Sequence, residues 1–189
     1  MSDATPQQSE ALAGLRQQID ALDGQLLALL NERARVAQAV GELKREEGSA
    51  FFRPDRARQV IARLQTANAG PLLDTHVAAV WREIMSACLA LEVPQRVAVL
   101  GPEGTFTEQA AVEYFGSAVN LVYCQSFDEV FHSTAAGTAQ FGVVAVENST
   151  EGVVSRTYDL FLHSPLHVVG EVSLLVRHNL LRQTTGLDG

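Results

Sequence analysis

Apolar residues recur at heptad spacing through the first quarter of the chain. Two registers, three residues apart, carry them: Leu12, Ile19, Leu26 and Val40 on one, and Leu15, Leu22, Leu29, Val36 and Leu43 on the other. Such a pair of registers forms the a and d seam of a coiled coil and predicts one helix over residues 10–47, ended by Gly48 and Ser49. The polar residues 1–9 before it are expected to form a disordered tail.

Two shorter helical patterns follow the long one. A second helix is predicted to start near Pro54, because proline suits the first helical position. The segment from Asn68 to Pro71 is typical of a turn, and a third helix is predicted from about Pro71 to Glu92, where Pro94 stops it. Together these elements predict an all-helical domain over residues 10–93.

The pattern changes after Pro94 to short apolar runs that alternate with helical segments. Thr105 with Glu108, and Ser126 with Glu129, have the spacing of capping boxes that open helices. The alternation predicts an α/β domain with a largely parallel sheet over residues 94–189. Its predicted strands are Arg96–Leu100, Asn120–Cys124 and Phe141–Val146, with a loop at 147–152, a helix to about 162, and a strand-like run at 166–176.

Charge narrows the class of ligand. The 189 residues carry a net charge of −8, which argues against nucleic acid or an anionic membrane as a partner. Before Pro94 the chain has ten Lys and Arg and 12 acidic residues, and after Pro94 it has four Lys and Arg and 10 acidic residues. An anionic ligand is therefore expected in the first half. Cys88 and Cys124 lack metal-type spacing, the five histidines form no cluster, and no targeting or spanning segment is evident, so we expect a cytoplasmic protein with reduced thiols and no metal.

Arg33 interrupts the a register between Leu26 and Val40. A guanidinium in an apolar seam is unfavourable unless it is paired. One interpretation is a register-setting residue matched by Glu32, Glu42 or a partner's carboxylate. The other is an arginine kept for a ligand carboxylate, which its planar fork binds in a bidentate manner.

Two further cations flank the seam at e positions. Lys44 lies roughly 16 Å along the helix from Arg33, and Arg16 lies about 25 Å from Arg33 on the other side. Long side chains at 33 and 44 can meet one small ligand, whereas Arg16 is too distant and would serve a partner's site. This spacing favours an antiparallel dimer, although charged residues at e positions more commonly lie in solvent beside the seam.

These residues carry a resemblance to a known family. Residues 15–23, 26–33 and 40–44 resemble the first helix of the all-helical chorismate mutases, residues 53–56 resemble the start of its second helix, and residues 81–92 its third. The resemblance implies an interlocked homodimer with two sites, each taking Arg16 from the partner. It also implies a pericyclic rearrangement of chorismate to prephenate that needs no cofactor, because the protein holds the reactive conformer and stabilises charge on the ether oxygen.

The resemblance also implies roles for individual residues. Arg16 of the partner and Arg33 would pair with the two carboxylates, and Lys44 would donate to the ether oxygen. Further substrate contacts would come from Arg53, Arg56, Cys88 and Glu92. Ala57 departs from the family, many members of which carry a hydroxyl-binding Glu there. Glu92 must be protonated to donate a hydrogen bond, so activity is expected to fall as pH rises.

The second half resembles the beginning of the prephenate dehydratases through residues 97–107, 142–154, 158–160 and 169–171. That resemblance implies a two-lobed fold like the periplasmic binding proteins, of which only a partial lobe is expected. Thr105, Asn148, Ser149 and Thr150 would face prephenate, although without the resemblance turn and cap chemistry would be the preferred explanation of these residues. We expect negligible dehydratase activity. The alternative to an enzyme is a helical dimerisation module joined to a small-molecule sensor.

Overall fold

Three helices form the first part of the protein, for which a computed structural model describes residues 6–48, 52–149 and 152–176. They are α1 (Pro6–Glu47), α2 (Pro54–Ala67) and α3 (Asp74–Glu92). Residues 6–9 of the expected disordered tail are helical, because proline is tolerated at a helix start and glutamine favours helix. Residues 1–5 of that tail lie outside the described residues. α1 ends as predicted, before Gly48 at φ 67°.

The third helix starts at Asp74, later than the predicted Pro71. The side chain of Asn68 explains the delay, because its amide donates to the backbone oxygen of Leu72 at 2.7 Å and to the carboxylate of Asp74 at 3.2 Å. Side-chain bonds of this kind hold the backbone in a turn and compete with helix formation.

α1 presents two different faces. The nine apolar residues of the heptad seam each expose between 43% and 62% of their surface. A neighbouring face, formed by Ala34, Ala37 and the buried Gly41, turns toward α3 instead. Small side chains allow two helices to approach closely, so α3 packs beside the seam and leaves the seam itself uncovered.

The second part is a three-stranded parallel sheet with helices. Its elements are β1 (Arg96–Leu100), α4 (Phe106–Phe115), β2 (Asn120–Cys124), α5 (Phe127–Ala135), β3 (Phe141–Val143), β4 (Glu147–Asn148), β5 (Gly152–Val153) and α6 (Ser155–His163). The strands of the sheet run in the order β2-β1-β3, with Ala98 of the central strand paired to Val122 and Gly142. The three middle residues of β1 are fully buried, as expected for a strand covered on both faces.

Both predicted N-caps are present. The Thr105 hydroxyl accepts from the backbone of Glu108 at 3.4 Å, and the Ser126 hydroxyl accepts from Glu129 at 3.2 Å. The glutamates reach back one residue further than in a standard capping box, to the backbone of Gly104 and of Gln125. These caps fix where α4 and α5 leave the sheet.

Three strand predictions need correction. β3 ends at Val143 rather than Val146, and the predicted loop contains the short antiparallel pair β4–β5. Residues 166–176 form no strand. An apolar, β-branched run becomes a strand only where another strand pairs with its backbone, and none pairs with this one in the described part of the chain.

Candidate active site

Arg33 turns away from the seam and toward α3. Its Nη1 donates to Sγ of Cys88 at 3.0 Å, and both side chains are at least partly buried. Glu32 and Glu42, the carboxylates that could have matched it, are exposed. We call Arg33, Gly41, Lys44, Cys88 and Glu92 the α1–α3 cluster.

Glu92 lies at the close approach of the two helices. A Cβ added to Gly41 would lie 2.8 Å from Cγ of Glu92 and 3.0 Å from its Oε2, so no larger residue fits there without movement. Arg45 donates to the backbone oxygen of Glu92 at 3.2 Å. The last turn of α3 is therefore held against α1 by its backbone as well as by packing.

The carboxyl group of Glu92 is poorly solvated. Its Oε2 is buried and has no hydrogen-bond partner among the described residues. Burial raises the pKa of Glu92, and the charges of Lys44 and Arg33 oppose that rise. A buried polar atom without a partner is unfavourable, which makes this oxygen a candidate for contact with a ligand. The cluster offers two cations for anionic groups and one carboxyl group able to carry a proton.

The remaining mutase candidates lie outside this cluster. Arg16 is exposed on α1, about 25 Å from Arg33 by helical rise. Arg53 precedes α2 as its N-cap, and Arg56 lies in its first turn, both exposed. Ala57, half-buried beside them, brings no polar group. The structure therefore groups four of the seven predicted substrate residues and leaves these three arginines at the surface of the single chain.

The candidates in the α/β part lie past the carboxyl ends of two neighbouring strands. Thr105 follows β1, and its hydroxyl donates to the backbone oxygen of Leu100 at 2.7 Å. Asn148 and Ser149 follow β3 and are exposed. Thr150 lies outside the described residues. Ends of neighbouring parallel strands share one edge of a sheet, which is where α/β folds place ligands.

Sequence reasoning missed two members of this site. Gly41 was noted only as part of the family resemblance. A glycine weakens a helix by about 1 kcal/mol relative to alanine and can mark close packing, but Gly14 and Gly24 of the same helix have open space around them, so the sequence does not single out Gly41. Arg45 gave no signal, because its contact is to a backbone oxygen of a distant residue.

Metal-binding and membrane-spanning features are absent from the described residues. They include no group of three or more His, Cys, Asp and Glu side chains placed to hold a metal ion. Within the same residues, no helix combines the length and apolarity needed to cross a membrane.

Comparison with known proteins assigns each part to a class. The helical part matches the family model described as chorismate mutase type II over residues 15–93. The α/β part matches the model described as prephenate dehydratase over residues 97–188. The chain therefore belongs to the type II chorismate mutase family in its helical domain, and the domain that follows is similar to the prephenate dehydratases.

Its relatives carry both domains in one protein. The bifunctional chorismate mutase/prephenate dehydratase of Pseudomonas aeruginosa is 50% identical over 95% of this chain and 51% of its own length. Those of Neisseria gonorrhoeae and Escherichia coli (strain K12) are 48% and 32% identical, over 94% and 90% of this chain, each over 48% of its own length. The chain thus spans about half the length of the curated relatives it matches. A solved chorismate mutase from Thermus thermophilus is 34% identical, over 43% of this chain and 93% of that one, with a TM-score of 0.43.

Proposed function

We propose that this chain is a chorismate mutase that converts chorismate to prephenate within the α1–α3 cluster. The observation that carries the proposal is the meeting of Arg33 and Lys44 of α1 with Glu92 of α3 around an unpartnered, buried carboxyl oxygen. Chorismate is a dianion, so the positive charges of Arg33 and Lys44 suit it as a ligand. A protonated Glu92 and Lys44 would donate to the ether oxygen, where negative charge develops in the transition state.

The site requires a second copy of the chain. Exposed leucines and valines on α1 form a continuous apolar stripe, which a monomer would leave in water. Antiparallel pairing of two α1 helices along this stripe would bring the partner's Arg16 toward the cluster built on Arg33. Each site would then bind one carboxylate with its own arginine and the other with an arginine of the partner.

The α/β domain would contribute part of a prephenate site. Thr105, Asn148, Ser149 and Thr150 are the residues proposed to face prephenate, in a lobe related to those of periplasmic binding proteins. Support comes from the family match and from the shared carboxyl edge of β1 and β3. We expect the protein to act in the cytoplasm.

The loss of chorismate absorbance with purified protein tests the proposal. Arg33→Ala should lower kcat/KM by a factor of about 100 or more, because a charge-assisted contact to a buried carboxylate is lost. Arg35→Ala is the matched control, since Arg35 lies on the same helix with an exposed side chain. Absence of turnover in the wild type, or equal losses in both variants, would contradict the proposal.

A further inference from the structure

Phe52 of the helical domain is inserted into the aromatic core of the α/β domain. It lies in the connection between α1 and α2, and its ring centroid is 5.1 Å from that of Phe115 and 5.4 Å from that of Phe141. The ring of Tyr114 is 6.5 Å away at an interplanar angle of 69°. Edge-to-face and tilted packing at these distances is favourable for aromatic rings.

The receiving cluster is a fixed part of the sheet. Phe115 is 6% exposed and packs with Val97 and Val99 of the central strand. Phe141 begins β3, and the Tyr114 hydroxyl donates to the backbone oxygen of Val169 at 3.3 Å. Phe52 therefore docks onto the packed core formed by α4 and the sheet.

Phe52, which we call the anchor, lies directly beside proposed substrate-binding residues. Arg53 follows Phe52, α2 begins at Pro54, and Arg56 is in the first turn of that helix. Both arginines are exposed, and α2 has no fully buried residue. The contact of Phe52 with the other domain therefore adds a constraint at this end of the helix.

We infer that Phe52 is a positioning residue through which the α/β domain sets the affinity of the mutase site. By holding the start of α2 in place, it would hold the backbone at Arg53 and the side chain of Arg56 ready for substrate. A loose connection would have to be ordered during binding, which weakens affinity and leaves the chemical step intact. The inference rests on the proposed mutase function and assigns a mutase role to a part of the chain outside the mutase domain.

Steady-state kinetics of the 189-residue chain with chorismate test this role. Phe52→Ala should raise KM about two- to tenfold, the range that corresponds to losing an aromatic pair, with kcat nearly unchanged. Phe52→Leu should recover part of the loss because it keeps apolar volume at the anchor. Circular dichroism and thermal unfolding of each variant establish that it is folded.

The decisive variant lies in the other domain. Phe141→Ala should raise KM in the same direction, and combining it with Phe52→Ala should add little, since both remove one contact. Phe161→Ala is the matched control: its ring pairs with Phe131 at 5.2 Å, away from Phe52, so it loosens the α/β domain without touching the anchor.

The outcomes separate the two hypotheses. No turnover by the wild type would overturn the mutase function and this inference together. Turnover with an unchanged KM in Phe52→Ala would overturn the positioning role alone. The positioning role would also be overturned if Phe161→Ala raised KM as much as Phe141→Ala does, or if the two anchor variants acted additively.

Discussion

Glu92 is the residue at which burial and charge act in opposite directions. Burial disfavours its ionised form and raises its pKa, while Lys44 and Arg33 favour that form. The net direction is upward, so the protonated acid persists to higher pH than at an exposed glutamate. Within the α1–α3 cluster, this carboxyl group is therefore the one able to stay protonated and to donate a hydrogen bond.

The pH dependence of kcat/KM should therefore follow Glu92. The protonated form donates a hydrogen bond and the ionised form repels the substrate's carboxylates, so activity should be high below the raised pKa and fall as pH passes through it. A series of initial rates across pH, with chorismate as substrate, measures the fall.

Glu92→Gln supplies the comparison. The amide donates a hydrogen bond at every pH, so this variant should keep its activity where the wild type loses it. Profiles of the same shape for wild type and variant would show that Glu92 does not titrate in the reaction. Stability should change in the same direction, because a carboxyl group whose pKa is raised by folding favours the folded state less as pH rises through that pKa.

The helix α1 shows how much of the site the sequence could reveal. The apolar heptads predicted most of its length, and the charge within the apolar seam singled out Arg33, which the structure places in the α1–α3 cluster. The face toward α3 was invisible to periodicity, because Ala34, Ala37 and Gly41 are too small to register as an apolar stripe. Which face of a helix a neighbour covers depends on packing of distant segments, and the local pattern does not contain it.

The glycines of α1 allow a direct test of this second face. Gly24→Ala should raise the free energy of unfolding by about 0.5–1 kcal/mol, because alanine favours helix and nothing lies within 4 Å of the added Cβ. Gly41→Ala should lower both stability and kcat/KM, since its Cβ would meet the side chain of Glu92 at 2.8 Å. Chemical denaturation and chorismate turnover of the two variants measure these effects.

Gly24 serves as the control in that pair because it is the same residue type in the same helix. If Gly41→Ala matched Gly24→Ala in stability and activity, the close approach of α1 and α3 at Glu92 would contribute to neither property.

Strand prediction failed for a related reason. The run at 166–176 has the apolar, β-branched character of a strand, and Val144 to Val146 continue the pattern of β3. Neither segment forms a strand in the described residues, because a strand depends on a neighbour that its own sequence does not specify. Arg96–Leu100 and Asn120–Cys124 were predicted with their observed bounds, since capped helices and turns delimit them.

In the molecule as a whole, the two domains are docked as well as joined. Glu83 of α3 accepts from the backbone and hydroxyl of Ser117, and the hydroxyl of Ser86 accepts from the backbone of Ala118 at 3.2 Å. A Cβ on Gly116 would lie 2.4 Å from that of Ser86. Together with Phe52, these contacts give the helical domain a fixed orientation on the sheet.

If each mutase site is shared between two chains, mixing two inactive variants should restore part of the mutase activity. Arg16→Ala and Arg33→Ala should each abolish most activity, but a mixed dimer has one site with both arginines intact. Random exchange gives about half mixed dimers with one of two sites active, hence about a quarter of wild-type activity. Co-refolding the two variants and measuring chorismate turnover tests this expectation.

Arg33→Ala mixed with Lys44→Ala is the matching control. Both residues belong to the same chain's half of a site, so each site in the mixed dimer would carry one defect and no activity should return. Recovery in this control, or none in the first mixture, would contradict the sharing of sites across the seam.

The uncovered seam of α1 links the number of complete sites to protein concentration. If each site needs an arginine from a second chain, a dissociated chain carries a site that lacks one of its two carboxylate partners. Dilution below the dissociation constant of the dimer would then lower the turnover per chain, because mass action favours separate chains. Substrate bridging the two chains would oppose that dissociation, since a ligand that binds only the dimer stabilises it. Chorismate would thus help to assemble the catalyst that consumes it, and the rate would rise more steeply than linearly with protein at low concentration.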